Sequence, residues 1–468
     1  MNPIWLVGAG LFTVLFCIIG LRLHAFISLV LAALVVGLLT SSSQLHTYAL
    51  HAGMTEEAAL KFSSRSIGSR LMDGFGETAK KVGLLIAFAS VIGMSLHKSG
   101  SAERIVRGIL KALGAGKTDI ALLSSSFTLA IPVFFDTVFY LLIPIVKSAA
   151  VRKPAKYSLY LMCAIAGGVM SHSLVPPTPG PLYVAKELNV DIGIMIMMGI
   201  GVGIITVIGG YAYARWANTK WELPLRDTPD VSVAELEKNI HLSTESLPRL
   251  GWSLLPVVLP LLLITMGTVL NLFPDFPFKK FLQVISESNI ALLFSMLIAM
   301  RMLWVRTADK KKFEGFISEA LSSAAMIILI TGAGGAFGQL LQQTDIGNLI
   351  GQLSRHSRLA ILPLAFVLTL LIRTAQGSAT VAMVTAIGFM SGFVHTGGYG
   401  FHPVYLALAI GCGSKIFPWM NDSAFWIITK MSGMTNKESI RFFSYLLTVM
   451  GFTGLLAVMI LAYLFPLV

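Results

Sequence analysis

Charge is what this chain has least of. Asp, Glu, Lys and Arg together make up 12% of its 468 residues, about half the share carried by a soluble globular protein. So little charge cannot clothe the surface of a water-soluble domain of this size, which excludes a soluble enzyme or binding module. Cysteine is almost missing: Cys17, Cys163 and Cys412 are the only three. Each lies in an apolar stretch, so they read as small core residues rather than a disulfide framework or a metal cluster. No His-Glu-x-x-His, no Cys/His cluster and no Gly-x-Ser-x-Gly occurs, so the motifs of a membrane-embedded enzyme are lacking, and no cofactor or metal is expected. The run Gly332 to Gly338 has a nominal dinucleotide-loop spacing, but it sits in an apolar span with no flanking strand and no Lys-Ser/Thr. Close helix packing by small residues is the expectation there, and for Gly199, Gly201 and Gly203 as well.

What the chain has in abundance is hydrophobic residues, 55% of the total. Nearly all of it must face lipid or other buried helices, which means an all-α polytopic membrane protein. The formal net charge of +12 does not point to nucleic acid. The Lys and Arg residues sit in short gaps between apolar runs, where the positive-inside bias places them. The first run, Ile4 to Gly20, lacks a basic leader segment and is followed closely by a second run, so it reads as a span.

A span needs about 20 apolar residues. The candidates are 4–21, 24–40, 82–97, 157–175, 193–214, 252–273, 288–304, 320–342, 403–418 and 442–466. Two more apolar stretches, 119–147 and 359–394, are too short for two crossings and fit two half-helices each. The middle of the first reads Pro132-Val133-Phe134-Phe135-Asp136-Thr137, and that of the second Arg373-Thr374-Ala375-Gln376-Gly377-Ser378-Ala379-Thr380. Both are expected to be re-entrant hairpins, since irregular backbone at membrane depth survives only where protein or a water-filled cavity surrounds it. Each hairpin is followed by a span with a polar break, at Ser171 to Pro181 and at Gly411 to Ser423.

Three spans, a hairpin, a broken span and a further span thus occur twice. The expected architecture is two inverted repeats, 1–215 and 251–468, joined by an acid–base cytoplasmic linker over 216–250. About ten full spans would accompany two opposed hairpins. Residues 41–81 fit this topology badly, because they would lie outside while carrying Lys61, Arg65, Arg70, Lys80 and Lys81.

Inverted repeats with broken helices meeting near the midplane are a recurrent design of secondary transporters. Unwound ends offer free N–H groups to an anion and free C=O groups to a cation. On that reading Arg373 clamps a substrate carboxylate; the plainer alternative is an ion pair with a buried acid. Ser378 and Thr380, after Gly377, would bind carboxylate and hydroxyls at a half-helix start, with Ser171, Ser173 and Thr178 as their counterparts in the first half. Asn421 would read a substrate hydroxyl. Asp136 and Asp422 are candidate proton or cation carriers, and His172 a proton relay. Against these stand ordinary roles as caps, salt bridges and structural hydrogen bonds. Lys415 either neutralises Asp422 or meets the anion. A channel would want a repeated pore ring, whereas the two breaks differ in sequence. A structural subunit would have no use for ionisable groups at four breaks.

Phe135-Asp136-Thr137-Val138-Phe139 with Pro144 behind it, Pro176-Pro177-Thr178-Pro179-Gly180-Pro181, Gly377-Ser378-Ala379-Thr380-Val381-Ala382, and Gly413-Ser414 through Asn421-Asp422 together resemble the gluconate permease family, over most of the chain. Asp136 stands where the gluconate-type members often have Glu, Thr178 where they often have His, and Gln376 and Lys415 are unusual. The resemblance implies proton-coupled uptake of a sugar acid such as gluconate in the cell inner membrane, with D-serine and other small hydroxy acids as the alternative substrates. Sodium is the alternative coupling ion. Proteins of this architecture commonly form homodimers, although no interface is visible in the sequence.

Overall fold

The computed structural model describes residues 3–227, 247–271, 273, 278–345, 358–394 and 400–467, and every regular element among them is a helix. Most of the expected linker, including Asp230, Glu235, Glu237 and Lys238, lies outside the described residues.

The first half begins with α1 (Pro3–Leu15), which runs into a π turn, and α2 (Ala25–Leu39). Two short helices, α3 (Ser42–His51) and α4 (Glu56–Ser63), lead to the long α5 (Ile67–Lys98) and then α6 (Ser101–Leu113). Next come a helix pair, α7 (Thr118–Leu129) and α8 (Phe135–Arg152), a broken helix, α9 (Tyr157–Leu174) and α10 (Pro179–Glu187), and α11 (Ile192–Lys220). The second half starts with α12 (Leu250–Leu270), α13 (Lys279–Ser286), α14 (Ser288–Thr307) and the long α15 (Lys310–Gln342). A second helix pair, α16 (Ile361–Gln376) and α17 (Ala379–Val394), precedes a second broken helix, α18 (Val404–Gly413) and α19 (Ser423–Ser432). The chain ends with α20 (Asn436–Ser439), a π turn, and α21 (Tyr445–Leu464).

Among the described residues, seven helices are long and apolar enough to cross a membrane, or eight if the bent pair α2–α3 counts as one span. Four shorter apolar helices, Trp5–Ile18, Ile361–Gln376, Ala379–Met390 and Val404–Gly413, accompany them. The segment that fitted the expected topology badly is not a loop. Residues 82–97 form only the second part of α5, a helix of 32 residues, or about 48 Å at 1.5 Å per residue. Its first part carries Arg70, one of the basic residues that set this stretch against the expected topology. Arg70 is buried, and its guanidinium donates to Gln343 Oε1 at 2.7 Å. The same correction applies to 320–342, which is the second part of α15.

Helices α5 and α15 pack side by side. The glycine run behaves as expected of small residues: Gly332 lies against Phe75, and Gly335 against Thr78, both on α5. Capping side chains set the starts of the long helices. Ser66 accepts from the Ser69 N–H at 3.2 Å, Asp191 from Ile194 at 3.0 Å and Asp309 from Lys312 at 3.2 Å.

The centre of the molecule is made by the two broken helices. All of α18 and all of α9 except His172 are buried. A helix apolar all round can lie against lipid or inside protein, and these two are enclosed by protein. Glycine permits the enclosure in both halves: a Cβ at Gly167 of α9 would collide with backbone of α7, and one at Gly413 of α18 with backbone of α16. Contacts also cross between the halves. Helix α10 packs on α17, and α19 packs on α8.

Candidate functional site

The two helix pairs and the two broken helices end at a common place. Helix α16 stops at Gly377, which adopts the left-handed conformation with φ +85° and returns its N–H to the Arg373 carbonyl. Only glycine fits: a Cβ would collide with the Asn421 carbonyl oxygen, and φ in this range is itself unfavourable for other residues. Helix α17 then starts at Ala379, with the Ser378 hydroxyl accepting from the Val381 N–H at 3.4 Å. Helix α19 starts at Ser423, capped by Asp422, whose Oδ1 accepts from the Ala424 N–H at 2.8 Å. Helix α8 starts at Phe135 with no side-chain cap, and Asp136 lies in its first turn.

Between these ends is a cavity of about 250 Å³. Its polar lining comes from Asp136, His172, Arg373, Ser378, Thr380, Lys415, Asp422 and Ser423, and Phe134 and Phe135 form part of the apolar wall. Three helix N-termini, those of α8, α17 and α19, therefore reach one small space. Each carries partial positive charge from unsatisfied N–H groups, so the cavity favours an anion before any side chain is counted.

The charged side chains divide into a pair and two singles. Arg373 and Asp422 are both buried and form an ion pair, and Arg373 Nε also donates to the Ser414 carbonyl at 2.9 Å. Arg373 thus ties the α16–α17 turn to the break before α19. Its Nη1 is left without a partner among the described residues. Lys415 is buried at 4% exposure. It feels attraction from Asp422 and Asp136 and repulsion from Arg373, yet forms no ion pair among the described residues. Asp136, half-buried, likewise has no hydrogen bond or ion pair among them. The formal charges of the two acids and two bases sum to zero.

Six of the ten residues singled out from the sequence line this cavity: Asp136, His172, Arg373, Ser378, Thr380 and Asp422. His172 stands edge-on to Phe134, and its Nδ1 has no partner among the described residues. The other four are placed elsewhere. Asn421 is exposed and donates to the carbonyls of Thr374 at 2.8 Å and Ala375 at 3.1 Å; with Trp419, which reaches the Thr374 carbonyl at 2.9 Å, it satisfies the last turn of α16. Ser171 turns back onto its own helix, to the Gly167 and Gly168 carbonyls. Thr178 donates to the Val175 carbonyl at 2.6 Å within the break. Ser173 is buried with its hydroxyl unpartnered among the described residues and does not line the cavity.

Lys415 is the residue the sequence reading left undecided, between neutralising Asp422 and meeting the anion. The signal was present, since a lysine in a Gly-rich apolar break is costly to bury. A neighbouring acid in sequence, Asp422, offered an easy partner for it. In the folded chain that acid is taken by Arg373.

Across the chain, residues 2–464 match the GntP family permease. The chain belongs to this permease family. It is 31% identical over 465 residues to the inner membrane permease YgbN of Escherichia coli, covering 96% of each chain. It is 31% identical over 447 residues to the gluconate permease of Pseudomonas aeruginosa, covering 94% of this chain and 93% of that one. Among solved structures, the Alcanivorax borkumensis YdaH transporter superposes with a TM-score of 0.59 at 12% identity, covering 85% of this chain and 88% of that one. That likeness is one of fold. Family membership makes this GntP family permease a multi-pass membrane transport protein rather than an enzyme.

Proposed function

We propose that this permease is a secondary transporter of the cell inner membrane that carries a small hydroxylated carboxylate, gluconate or a related sugar acid, together with a proton. The observation that carries the reading is the cavity where three helix N-termini meet an unpaired Lys415. Lys415 and the first turns of α17 and α19 hold the carboxylate, and the hydroxyls of Ser378 and Thr380 meet the substrate hydroxyls. Arg373 serves mainly by holding Asp422 and the break in place, with its free Nη1 the part that can still reach the load. Asn421, Ser171 and Thr178 act in the framework around the site.

Charge balance gives the coupling. The empty cavity is formally neutral; an anion makes it negative, and a proton on Asp136 restores neutrality. His172, beside it in the cavity wall, is the candidate relay. A neutral load re-gates across a membrane far more cheaply than a charged one. Alternating access would come from rocking of two inverted repeats, 1–215 and 251–468, about the linker 216–250. About ten spans and two opposed re-entrant pairs, α7–α8 and α16–α17, complete that topology. The recurrence of helix pair, broken helix and final helix in both halves supports it, as do the crossed contacts of α10 with α17 and α19 with α8.

One observation favours a second substrate class. An unpaired carboxylate and an unpaired ammonium in one cavity also suit a zwitterion, such as a small hydroxy amino acid. The test is uptake of labelled gluconate into proteoliposomes under an imposed inward proton gradient, with glycerate, D-serine, glucuronate and citrate as competitors. Saturable uptake abolished by a protonophore is expected. Strong competition by D-serine alone would move the assignment to amino acids. No uptake of any of these under either a proton or a sodium gradient would overturn the proposal, and a large passive conductance would make the protein a channel.

A further inference from the structure

A second cavity lies far along the chain from the site residues, between the start of α12 and the end of α14. Its volume is about 800 Å³, and its cationic lining consists of Arg249, Arg301 and Arg306. None of the three forms an ion pair among the described residues. The N-terminus of α12, a 21-residue helix, also opens here, and its N-cap residue Arg249 supplies no side-chain cap. The remaining wall is apolar and open to the surroundings: Trp252 is 58% exposed, Leu297 50% and Val305 61%. Arg249 and Arg306 sit at the ends of their helices with Trp252 and Val305 beside them, Arg301 lies a turn further in, and Leu297 and Ile298 lie a turn beyond Arg301, so the cleft runs from a cationic mouth to an apolar floor.

We propose that this cleft is a binding site for an anionic phospholipid. Three guanidinium groups and a helix N-terminus hold the phosphate, which a guanidinium can grip through two parallel hydrogen bonds. The acyl chains lie along Leu297 and Ile298, with Trp252 and Val305 at the headgroup boundary, where indole rings concentrate. A soluble partner would leave the apolar wall unused, and a zwitterionic lipid would leave the charge of the arginines uncompensated. Basic clefts between spans on the positively flanked side of a membrane are suited to such headgroups. Arg301 and Arg306, with Lys310, Lys311 and Lys312 just beyond, mark this as that side.

The experiment is native mass spectrometry of the full chain in detergent, titrated with phosphatidylglycerol, cardiolipin or phosphatidylcholine. The wild type should retain the anionic lipids and not phosphatidylcholine. The triple variant Arg249→Gln, Arg301→Gln, Arg306→Gln should bind them about a hundredfold more weakly, at roughly fivefold per cationic side chain. Leu297→Trp keeps all three charges and fills the apolar wall, so it should also lose the lipid while melting like the wild type. Equal retention by the triple variant, equal retention of phosphatidylcholine, or full displacement of the lipid by equimolar glycerol phosphate would each overturn the proposal. So would a dimer that dissociates in the triple variant with lipid retention unchanged, since that would make the cleft an interface between copies.

Discussion

Replacing Lys415 with methionine separates the roles that a buried lysine can play. Lys415 is 4% exposed, and its ammonium makes no ion pair among the described residues. It therefore carries a desolvation cost of several kcal/mol that no fixed partner offsets. If its purpose is to meet an anionic substrate, the empty protein should not miss it. Lys415→Met keeps an unbranched side chain one heavy atom shorter and removes the charge, so the melting temperature should stay level or rise. Affinity should fall instead. A hydrogen bond to a charged group is worth about 1.5–3 kcal/mol, so KM for uptake should rise roughly tenfold to a hundredfold. The two measurements are a thermal melt of purified protein and initial rates of uptake in proteoliposomes. A melting temperature lower by several degrees with KM unchanged would show that Lys415 is structural and would refute the reasoning.

Arg373→Met should behave in the opposite way, because it strands Asp422 as a buried unpaired carboxylate at about 3–5 kcal/mol. The protein should melt early, and the added change Asp422→Asn, which keeps a capping oxygen, should restore much of the loss; failure of that rescue would mean that the pair is not what Arg373 stabilises. Asp136→Asn fixes the carboxyl in a neutral form, so exchange of internal for external substrate should continue while uphill accumulation and its dependence on the pH gradient vanish. Wild-type accumulation by this variant would remove Asp136 from the coupling. Gly377→Ala forces a side chain into positive φ, at about 1–2 kcal/mol, and into the Asn421 carbonyl. It should part the α16–α17 turn from the break before α19 and abolish uptake, and wild-type uptake by it would show that the turn can yield.

The sequence by itself determined where the chain crosses apolar surroundings and where it breaks. Long runs without charge must be helical in a membrane, because only internal hydrogen bonds can satisfy the backbone there. Pro and Gly within such runs, as at Pro132 and Gly377, are equally informative, since their backbone preferences are local. Local information also placed Asp136, Ser378 and Thr380 at helix starts. It could not say what faces what. Arg70 and Lys98 belong to one helix, α5, yet hydropathy counts the charge on Arg70 without knowing that Gln343, far along the chain, receives it. The pairing of Arg373 with Asp422 joins residues 49 positions apart; it chooses, between the clamp and the ion pair that the sequence left open for Arg373, the ion pair, and leaves Lys415 without one among the described residues. Asn421, adjacent to a site residue, turns outward to the end of α16 instead. Which cation is spent on the framework and which is kept for a ligand depends on distances across the packed core, and tertiary structure alone decides those.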